Sequence, residues 1–337
     1  MKKISAFNTF LSIINTVVVI VFILTYFIVY ISPKTFPYLS VFSLFVPFLV
    51  FVNLFFLIHW LIKLHKNTLL SACALLLGWF IFPPLVKFSN KELVLTNDLK
   101  VISYNVKMFN YYKWNKDITA EQKIYEFINK ENPDIIALQE FYQSEMLNIS
   151  LPFKYIKTKS DKSKFGLSIY SKHPIIKSGS LNFKNSANNT IFVDIVKNND
   201  TIRVYNVHLE SLKINPSKEN SGQKNSKHLF KRIANGFKKQ AIQTENIVQH
   251  EYTWKGKKII CGDFNNTAYS WVYKKLAKNK KDAFIEKGLG LGKTFRYAYP
   301  VRIDFILTDN KATINQYKTY SNVKLSDHYP IMSRMHW

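Results

Sequence analysis

The sequence predicts an α/β protein in which two mixed β-sheets pack together with helices outside, preceded by three transmembrane helices. From about residue 97 onward strand patterns outnumber helical ones, and neighbouring hairpins alternate with crossover connections. That mixture favours two packed sheets over one doubly wound sheet. The first 96 residues instead contain long charge-free intervals, which are typical of membrane spans. We therefore expect a transmembrane anchor over 1–96 and a globular domain over 97–337.

Three charge-free intervals define the anchor, and each holds about 20 apolar residues or nearly so, the length that crosses a hydrocarbon core. The predicted spans are Phe7–Ile31, Tyr38–Ile62 and Leu69–Leu85. A cleaved signal peptide is an alternative for the first span, but its apolar part exceeds the roughly 7–15 residues of a signal core and no A-x-A-like site follows. Three buried helices of a soluble protein are the other alternative, which three successive charge-free intervals disfavour.

Lysines in the short loops predict the orientation of the anchor. Lys2 and Lys3 precede the first span, Lys63 and Lys66 separate the second from the third, and Lys34 alone marks the other loop. The positive-inside rule then places the N-terminus in the cytoplasm. Three crossings leave the globular domain on the extracytoplasmic side, the periplasm if the membrane is a bacterial inner membrane. A re-entrant third span, which carries Pro83-Pro84, would invert this arrangement.

The elements of the globular domain follow from the apolar pattern and its breaks. Helices are predicted over Thr119–Asn129, ended by Asn132-Pro133-Asp134, and over Ser226–Val248. A hairpin turn is predicted at Asn198-Asn199-Asp200. The predicted strands are VISYNV, DIIALQE, FGLSIYS, NTIFVDIV, TIRVYNVHL, Lys257–Cys261, Val301–Leu307 and Ser326–Met332.

The positive charge of the chain lies mainly in the globular domain. Residues 1–96 contain seven lysines and one glutamate, so they carry +6 of the net charge of +25 and +19 remains with residues 97–337. Positive charge is densest between residues 211 and 239, where the only acidic residue is Glu219. The basic residues of this segment are Lys213, Lys218, Lys224, Lys227, Lys231, Arg232, Lys238 and Lys239. Such a run attracts nucleic acid or anionic lipid equally well, or is an ordinary solvated helix face.

Six polar motifs end apolar runs, where α/β folds build active sites. They are VISYN, IIALQE, IRVYNVH, KIICGDFN, RIDFIL and SDHYP. Glu140 is suited to a hard cation such as Mg²⁺, although alone it reads equally well as a surface glutamate. Asp263 and Asn265 are expected on one side of an extended segment, where they would orient water and hold a phosphate oxygen, although GDFN is also an ordinary turn sequence.

Asp304 and His328 form the second predicted pair. A carboxylate inside the apolar run RIDFIL needs a partner, and a histidine is a natural one because the pair fixes the ring tautomer and raises its basicity. Taken alone, Asp304 is as well explained by a structural hydrogen bond. Asn105 and His208 complete the set at the ends of two further strands. Together the residues predict metal-assisted hydrolysis of a phosphodiester.

The ordered series SYN, LQE, NVHLES, GDFN, RIDFIL and SDHYP closely resembles the endonuclease/exonuclease/phosphatase superfamily, which has the DNase I-like fold, over roughly 99–336. The resemblance implies a four-layered sandwich and Mg²⁺- or Mn²⁺-dependent cleavage of phosphate esters. It implies that Glu140 binds the metal, that Asn105 lies near metal and phosphate, and that Asp327 is a further metal contact. Catalytic roles are implied for Asn105, His208, Asp263, Asn265, Asp304 and His328.

One difference from the family pattern argues against a role in DNA repair. Repair enzymes similar to exonuclease III carry an acidic residue two positions after the first asparagine, where this chain has Lys107. The chain is therefore expected to be a nuclease other than a repair endonuclease, acting on DNA or RNA. The alternative is a membrane-proximal phospholipid phosphodiesterase of the sphingomyelinase type. A non-catalytic binding module predicts the loss of a catalytic motif, and none is lost.

Overall fold

The computed structural model of the chain describes residues 6–88, 92–214, 223–297 and 299–337. The chain forms two compact units. Residues 1–85, 212–241 and 268–274 make one, here called the helical unit. Residues 86–211, 242–267 and 275–337 make the other, here called the sheet unit. The predicted charges at Lys2, Lys3, Lys218 and Glu219, and the side chain of Lys224, lie outside the described residues.

Apolar helices build the helical unit. They are α1 (Ala6–Ile28), α2 (Pro37–Ser40), α3 (Val46–Ile62) and α4 (Asn67–Ile81), with a 3₁₀ turn over Val41–Phe45. Phe22 of α1 packs against Ala74 of α4 in one apolar cluster. Within it the side-chain amide of Asn15 donates to Ser71 Oγ at 2.8 Å. Polar bonds of this kind hold helices together where both faces are apolar.

Two helical stretches of this unit, Ala6–Ile28 and Pro37–Ile62, are long and apolar enough to cross a membrane. The first two predicted spans coincide with them to within a few residues. Their outer faces expose large apolar side chains, more than half accessible at Phe7, Phe10, Ile13, Val17, Ile20, Leu24 and Phe27. Exposed apolar surface of this extent marks contact with a membrane or with a partner.

The prediction of a full-length third span over 69–85 is wrong. Helix α4 has 15 residues. At 1.5 Å per residue it spans about 22 Å, less than the ~30 Å of a hydrocarbon core. It ends because Phe82, which precedes Pro83-Pro84, is extended at φ −103° and ψ 149°. A residue before proline avoids the helical region.

The sheet unit contains two six-stranded mixed sheets, which confirms the predicted fold class. In the first sheet the order is β11-β12-β1-β2-β4-β3, and in the second it is β5-β6-β7-β8-β10-β9. The strands are β1 (Leu99–Asn105), β2 (Ile135–Tyr142), β3 (Phe153–Thr158), β4 (Phe165–Ser171), β5 (Ile175–Ser180), β6 (Thr190–Lys197), β7 (Asp200–His208), β8 (Lys257–Asp263), β9 (Lys280–Asp282), β10 (Asp304–Asp309), β11 (Thr313–Thr319) and β12 (Ile331–His336).

Helices cover the outer faces of both sheets and the apolar inner faces meet between them. Val101 and Ala137 of the first sheet share a buried cluster with Val204 and Ile259 of the second. The remaining helices are α5 (Ala120–Glu131), α6 (Gln223–Tyr252), α7 (Trp271–Leu276) and α8 (Ala283–Lys287). Helix α5 packs on the first sheet, and the last turn of α6 lies on the second through the ring of His250, 4.7 Å from that of Phe192. The unit is thus a four-layered sandwich.

Two predicted strands begin later than the sequence pattern indicates. Strand β10 starts at Asp304 and not at Val301, and β12 starts at Ile331 and not at Ser326. The segment before β12 instead docks on another loop, since Tyr329 N donates to Thr294 O at 2.7 Å. The predicted turn between β6 and β7 is confirmed, with positive φ at both central asparagines, as a two-residue hairpin requires.

Candidate active site

Two parallel strand pairs, one in each sheet, bring four predicted residues to the same end of the sandwich. In the first sheet β1 runs parallel to β2, and Asn105 and Glu140 lie at the carboxyl end of the pair. In the second sheet β7 runs parallel to β8 in a register that sets His208 beside Asp263. Carboxyl ends of parallel strands are where ligand sites form.

Asn105 joins the two sheets through its side-chain amide. Its Nδ2 donates to Asp263 Oδ2 at 3.0 Å and to Glu140 Oε1 at 3.3 Å. The orientation of the amide is fixed, because its oxygen accepts from the backbone N–H of Lys107 at 3.1 Å. Asn105 is 1% exposed. A buried amide that bonds two carboxylates holds them in register.

Glu140 is presented by a bulge in β2. Its φ of 47° coincides with a shift in the register between β2 and β4 after Leu138. The bulge re-aims the side chain toward the end of the strand, a common device beside active sites. Burial, together with the negative charge of Asp327, raises the pKa of Glu140. This carboxyl group is therefore ionised most readily when a cation lies against it.

Asp304, His328 and Asp263 form a buried chain of alternating charge. His328 Nδ1 lies 2.9 Å from Asp304 Oδ2, and His328 Nε2 lies 3.7 Å from Asp263 Oδ2. Burial alone would lower the pKa of His328, but the charges of Asp304 and Asp263 outweigh it and raise the pKa to about 10. The imidazole is therefore a cation held between two carboxylates.

Asp263 lies at the centre of the site and is 1% exposed. Burial raises its pKa to about 7, the charge of Asp304 acts in the same direction, and that of His328 opposes them. Asn265 donates its backbone N–H to Asp263 Oδ1 at 2.7 Å. The expected extended spacing of these two residues is wrong, since β8 ends at Asp263 and Asn265 turns with φ 50°. A turn, and not strand alternation, brings them together.

His208 faces two carboxylates without bonding to either. Its Nε2 lies 3.7 Å from Asp263 Oδ2 and 3.9 Å from Glu140 Oε1. Among the described residues this buried nitrogen has no hydrogen-bond partner. Burial, with the nearby charge of His328, lowers the pKa of His208 to about 3. The ring is therefore neutral at physiological pH and holds one nitrogen ready for a ligand.

Asp327 and Lys107 form an ion pair at the rim of the site. Each side chain is about 30% exposed, with Lys107 at 30% and Asp327 at 28%. The Lys107 ammonium also lies 4.5 Å from the ring of Trp114. The carboxylate predicted as a metal contact is thus held by the lysine that stands where the repair enzymes carry an acid.

Three supporting residues were not anticipated from the sequence. Gln139 Nε2 donates to Asn206 Oδ1 at 2.6 Å, which joins the sheets directly beneath the site. Both side chains are fully buried. Ser326 Oγ donates to the backbone oxygen of Asn105 at 2.7 Å and accepts from His328 N at 3.3 Å. The sequence could have indicated them by proximity, because each lies next to a predicted site residue or two positions away from one.

Oxygen donors suited to a divalent cation concentrate here. In the part of the chain that the structure describes, Asp263, Asp304 and His328 form a group whose ligand atoms lie within 4.8 Å of one another. A metal requires an unprotonated histidine, whereas these carboxylates keep His328 protonated. Glu140 offers a hard oxygen ligand with no lysine or arginine of the described residues within ion-pair distance, so it fits a cation better.

The dense lysine run does not lie in the unit that carries the site. Residues 212–241 belong to the helical unit, where Ile233 and Phe237 of α6 share an apolar cluster with Val41. The ring of Phe230 stacks on Tyr38 at 5.6 Å. The exposed cations of this stretch include three that we call the α6 lysines, namely Lys227, Lys231 and Lys238.

Comparison with known proteins agrees with this architecture. Humanized TDP2 of D. rerio, carrying 14 mutations, superposes with a TM-score of 0.53 at 16% identity, covering 71% of this chain and 99% of that one. The human Nocturnin catalytic domain gives 0.54 at 14% identity, with coverages of 73% and 97%. A mannosyl-6-phosphatase of Bacteroides thetaiotaomicron gives 0.51 at 17%, with coverages of 71% and 100%.

Sequence profiles divide the chain in two. A domain of unknown function, DUF8431, matches residues 8–85. No curated protein matches the chain. The profile of the Endonuclease/Exonuclease/phosphatase family matches residues 102–328, which include every predicted site residue. The chain therefore belongs to the Endonuclease/Exonuclease/phosphatase family, whose hydrolases act on phosphate esters.

Proposed function

We propose that the protein is a metal-dependent phosphodiesterase that cleaves nucleic acid by attack of water. The observation that carries this proposal is the buried chain Asp304, His328, Asp263, which meets Asn105 and His208 at the junction of the two sheets. A structural ion pair would not need a second histidine with an unbonded nitrogen or a carboxyl group with a pKa near 7. A hydrolytic site needs both.

Asp263 is the proposed base. A carboxyl group with a pKa near 7 is half ionised at neutral pH and accepts the proton of an attacking water efficiently. His328 is the proposed binder of a phosphoryl oxygen, because Asp304 keeps it positively charged. Asn105 and Asn265 hold Asp263 in place through N–H groups. Neutral His208 is proposed to donate a hydrogen bond to the phosphate or to the leaving oxygen.

A divalent cation, Mg²⁺ or Mn²⁺, is proposed to be held by Glu140, with Asn105 and Asp327 as the further predicted ligands. When bound, it would neutralise charge on the phosphoryl oxygens. The Asn105 oxygen and the Asp327 carboxylate both contact Lys107 in this structure, whereas Glu140 does not. Glu140 is therefore the proposed principal ligand.

Nucleic acid is the proposed substrate because residues 97–337 still carry +12 without the run 212–241, and because lysines flank the site itself. A phospholipid phosphodiesterase is the second candidate. It is supported by the two apolar stretches of the helical unit and by the location of the α6 lysines in that unit. We also propose that these two stretches anchor residues 97–337 to a membrane, where a lipid substrate would be locally concentrated. Two crossings return the chain to the side of its N-terminus, so the extracytoplasmic location expected from three crossings no longer follows.

A substrate panel tests the proposal. The full chain in detergent is assayed with Mg²⁺ on plasmid DNA, RNA, sphingomyelin and a p-nitrophenyl phosphodiester. His328→Gln should reduce kcat by about 10²–10⁴-fold, the usual contribution of a positioned catalytic group. His336→Gln is the matched control, because His336 forms a similar pair with Asp98 at 3.2 Å but lies at the other end of the sandwich. Equal activity of the two variants would refute the site.

A further inference from the structure

A cavity of about 170 Å³ adjoins the candidate active site within the sheet unit. Glu140 and His208 form its inner end. The hairpin that joins β3 to β4 forms one wall, and the loop before β6 forms another. The cavity therefore begins where the scissile phosphate is proposed to lie and continues away from it.

Two lysines without partners line this cavity. Lys157 lies in β3 and Lys159 is the first residue after that strand, and both line the cavity. The hairpin is held closed there, since Lys159 N donates to Phe165 O at 2.9 Å. Neither ammonium group forms an ion pair or a hydrogen bond with any described residue. Two adjacent cations that lack acidic partners create a site for an anion.

Hydrogen bonds hold the loop before β6, whose lining residues Ala187, Asn188 and Asn189 are uncharged. Asn188 Nδ2 donates to Leu209 O at 2.8 Å, and Asn189 Oδ1 accepts from the backbone N–H of Asn182 at 2.9 Å. These amides are occupied in holding the loop. Phe165 and Met108 add an apolar surface against which a flat ring can lie.

His208 connects this cavity to the site that is proposed to hold the scissile phosphate. His208 lines it, is 8% exposed, and has a buried Nε2 with no partner among the described residues. A buried polar nitrogen without a hydrogen bond is costly, and a ligand that enters the cavity would satisfy it. The cavity is thus lined by an unsatisfied ring nitrogen and by two cations that have no acidic partner among the described residues.

We propose that this cavity binds a second phosphate of the substrate, so that the enzyme selects diesters that carry a further phosphate beyond the scissile one. The inference rests on the proposed function and narrows its substrate class. A nucleic-acid strand has this repeating charge, and so does a phosphorylated inositol headgroup. A choline headgroup, which is cationic, would be repelled by Lys157 and Lys159.

Paired substrates test the proposal with the full chain. The p-nitrophenyl ester of thymidine 5′-phosphate is compared with the same ester bearing a 3′-phosphate. One charge-assisted contact is worth about 1.5–3 kcal/mol, so kcat/KM should favour the bisphosphate by about 10–100-fold. In the double variant Lys157→Gln/Lys159→Gln this ratio should fall to about 1. Lys154→Gln, on the same strand but the opposite face, should leave the ratio unchanged.

Two further measurements separate the possible outcomes. Glycerophosphoinositol with and without a 4-phosphate, compared in the same way, distinguishes a lipid headgroup from a nucleic-acid source of the second phosphate. Calorimetric binding of thymidine 3′,5′-bisphosphate needs no turnover, and its loss in the double variant supports the cavity even if no diester is cleaved. Cleavage of both paired esters with equal kcat/KM, or a ratio that survives the double substitution, would overturn the proposal while leaving the proposed function intact.

Discussion

Replacing Asp304 with asparagine tests the buried ion pair between Asp304 and His328. The substitution keeps the shape of the side chain but removes the negative charge 2.9 Å from His328 Nδ1. Asp304 is 2% exposed and His328 4%. Solvent therefore screens this pair little. The stability of the His328 cation should fall, and with it the pH range in which it binds a phosphoryl oxygen.

The size of the effect follows from the distance. Two unit charges about 3 Å apart interact by roughly 5 kcal/mol at an effective dielectric constant near 20. At about 1.4 kcal/mol per unit, this would lower the pKa of His328 by up to about 4 units. Asp263 remains 3.7 Å away. We therefore expect a net fall of about 1–3 units from the present value near 10.

The assay is the pH profile of kcat/KM for a p-nitrophenyl phosphodiester between about pH 5 and 10. His328 must be protonated to act, so a lower pKa moves the alkaline limb of the profile to lower pH. We expect kcat near neutrality to fall by about 10²–10⁴-fold. Asp98→Asn, which breaks the pair with His336, controls for general destabilisation. An unshifted alkaline limb in Asp304→Asn, with kcat within about threefold, would refute the reasoning.

Three further predictions concern the base, the backbone and the lysine run. Asp263→Asn should abolish turnover without lowering the melting temperature at pH 8, because burial raises the pKa of Asp263 and makes its ionised form unfavourable; a large drop in melting temperature would contradict this. Gly262→Ala should lower the free energy of unfolding by about 2 kcal/mol or more, since a Cβ there would lie 2.0 Å from Val207 O. Gly290→Ala is the control and should lower it less, because a Cβ there meets nothing within 4 Å. Urea unfolding measures both free energies. Replacing all three α6 lysines with glutamine should weaken sedimentation with anionic vesicles but leave the rate of DNA cleavage within about twofold. A salt-dependent loss of cleavage would instead show that these lysines bind nucleic acid.

The sequence predicted the fold class well because buried strands leave a strong pattern. Strands such as β1, β2 and β7 are apolar runs that end in polar residues, and both of their faces are buried. The edge strands β3, β5, β9 and β11 were missed because their side chains are mostly exposed or half-buried, so the apolar alternation is weak. The end of α4 was predicted too late because the charge-free interval was followed to Leu85, although Pro83 already keeps the residue before it out of the helical region.

For the candidate site, the sequence indicated the residues better than their contacts. The pairing of Asp304 with His328 was predicted from the cost of a buried charge, and the structure places them 2.9 Å apart. The link from Lys107 to Asp327 joins residues 220 positions apart, and no local pattern reports it. The location of the α6 lysines in the helical unit depends on tertiary packing alone.

The amide of Asn105 and the imidazole of His328 each reach across from the first sheet, or its border, to a carboxylate of the second. Strands β11 and β12, which complete the first sheet, follow the strands of the second sheet in chain order. No fragment that stops before residue 328 can therefore contain the whole charge chain. If the charge chain carries the reaction as proposed, β12 must pair with β1 before turnover can begin, so turnover measures the formation of this long-range strand pair.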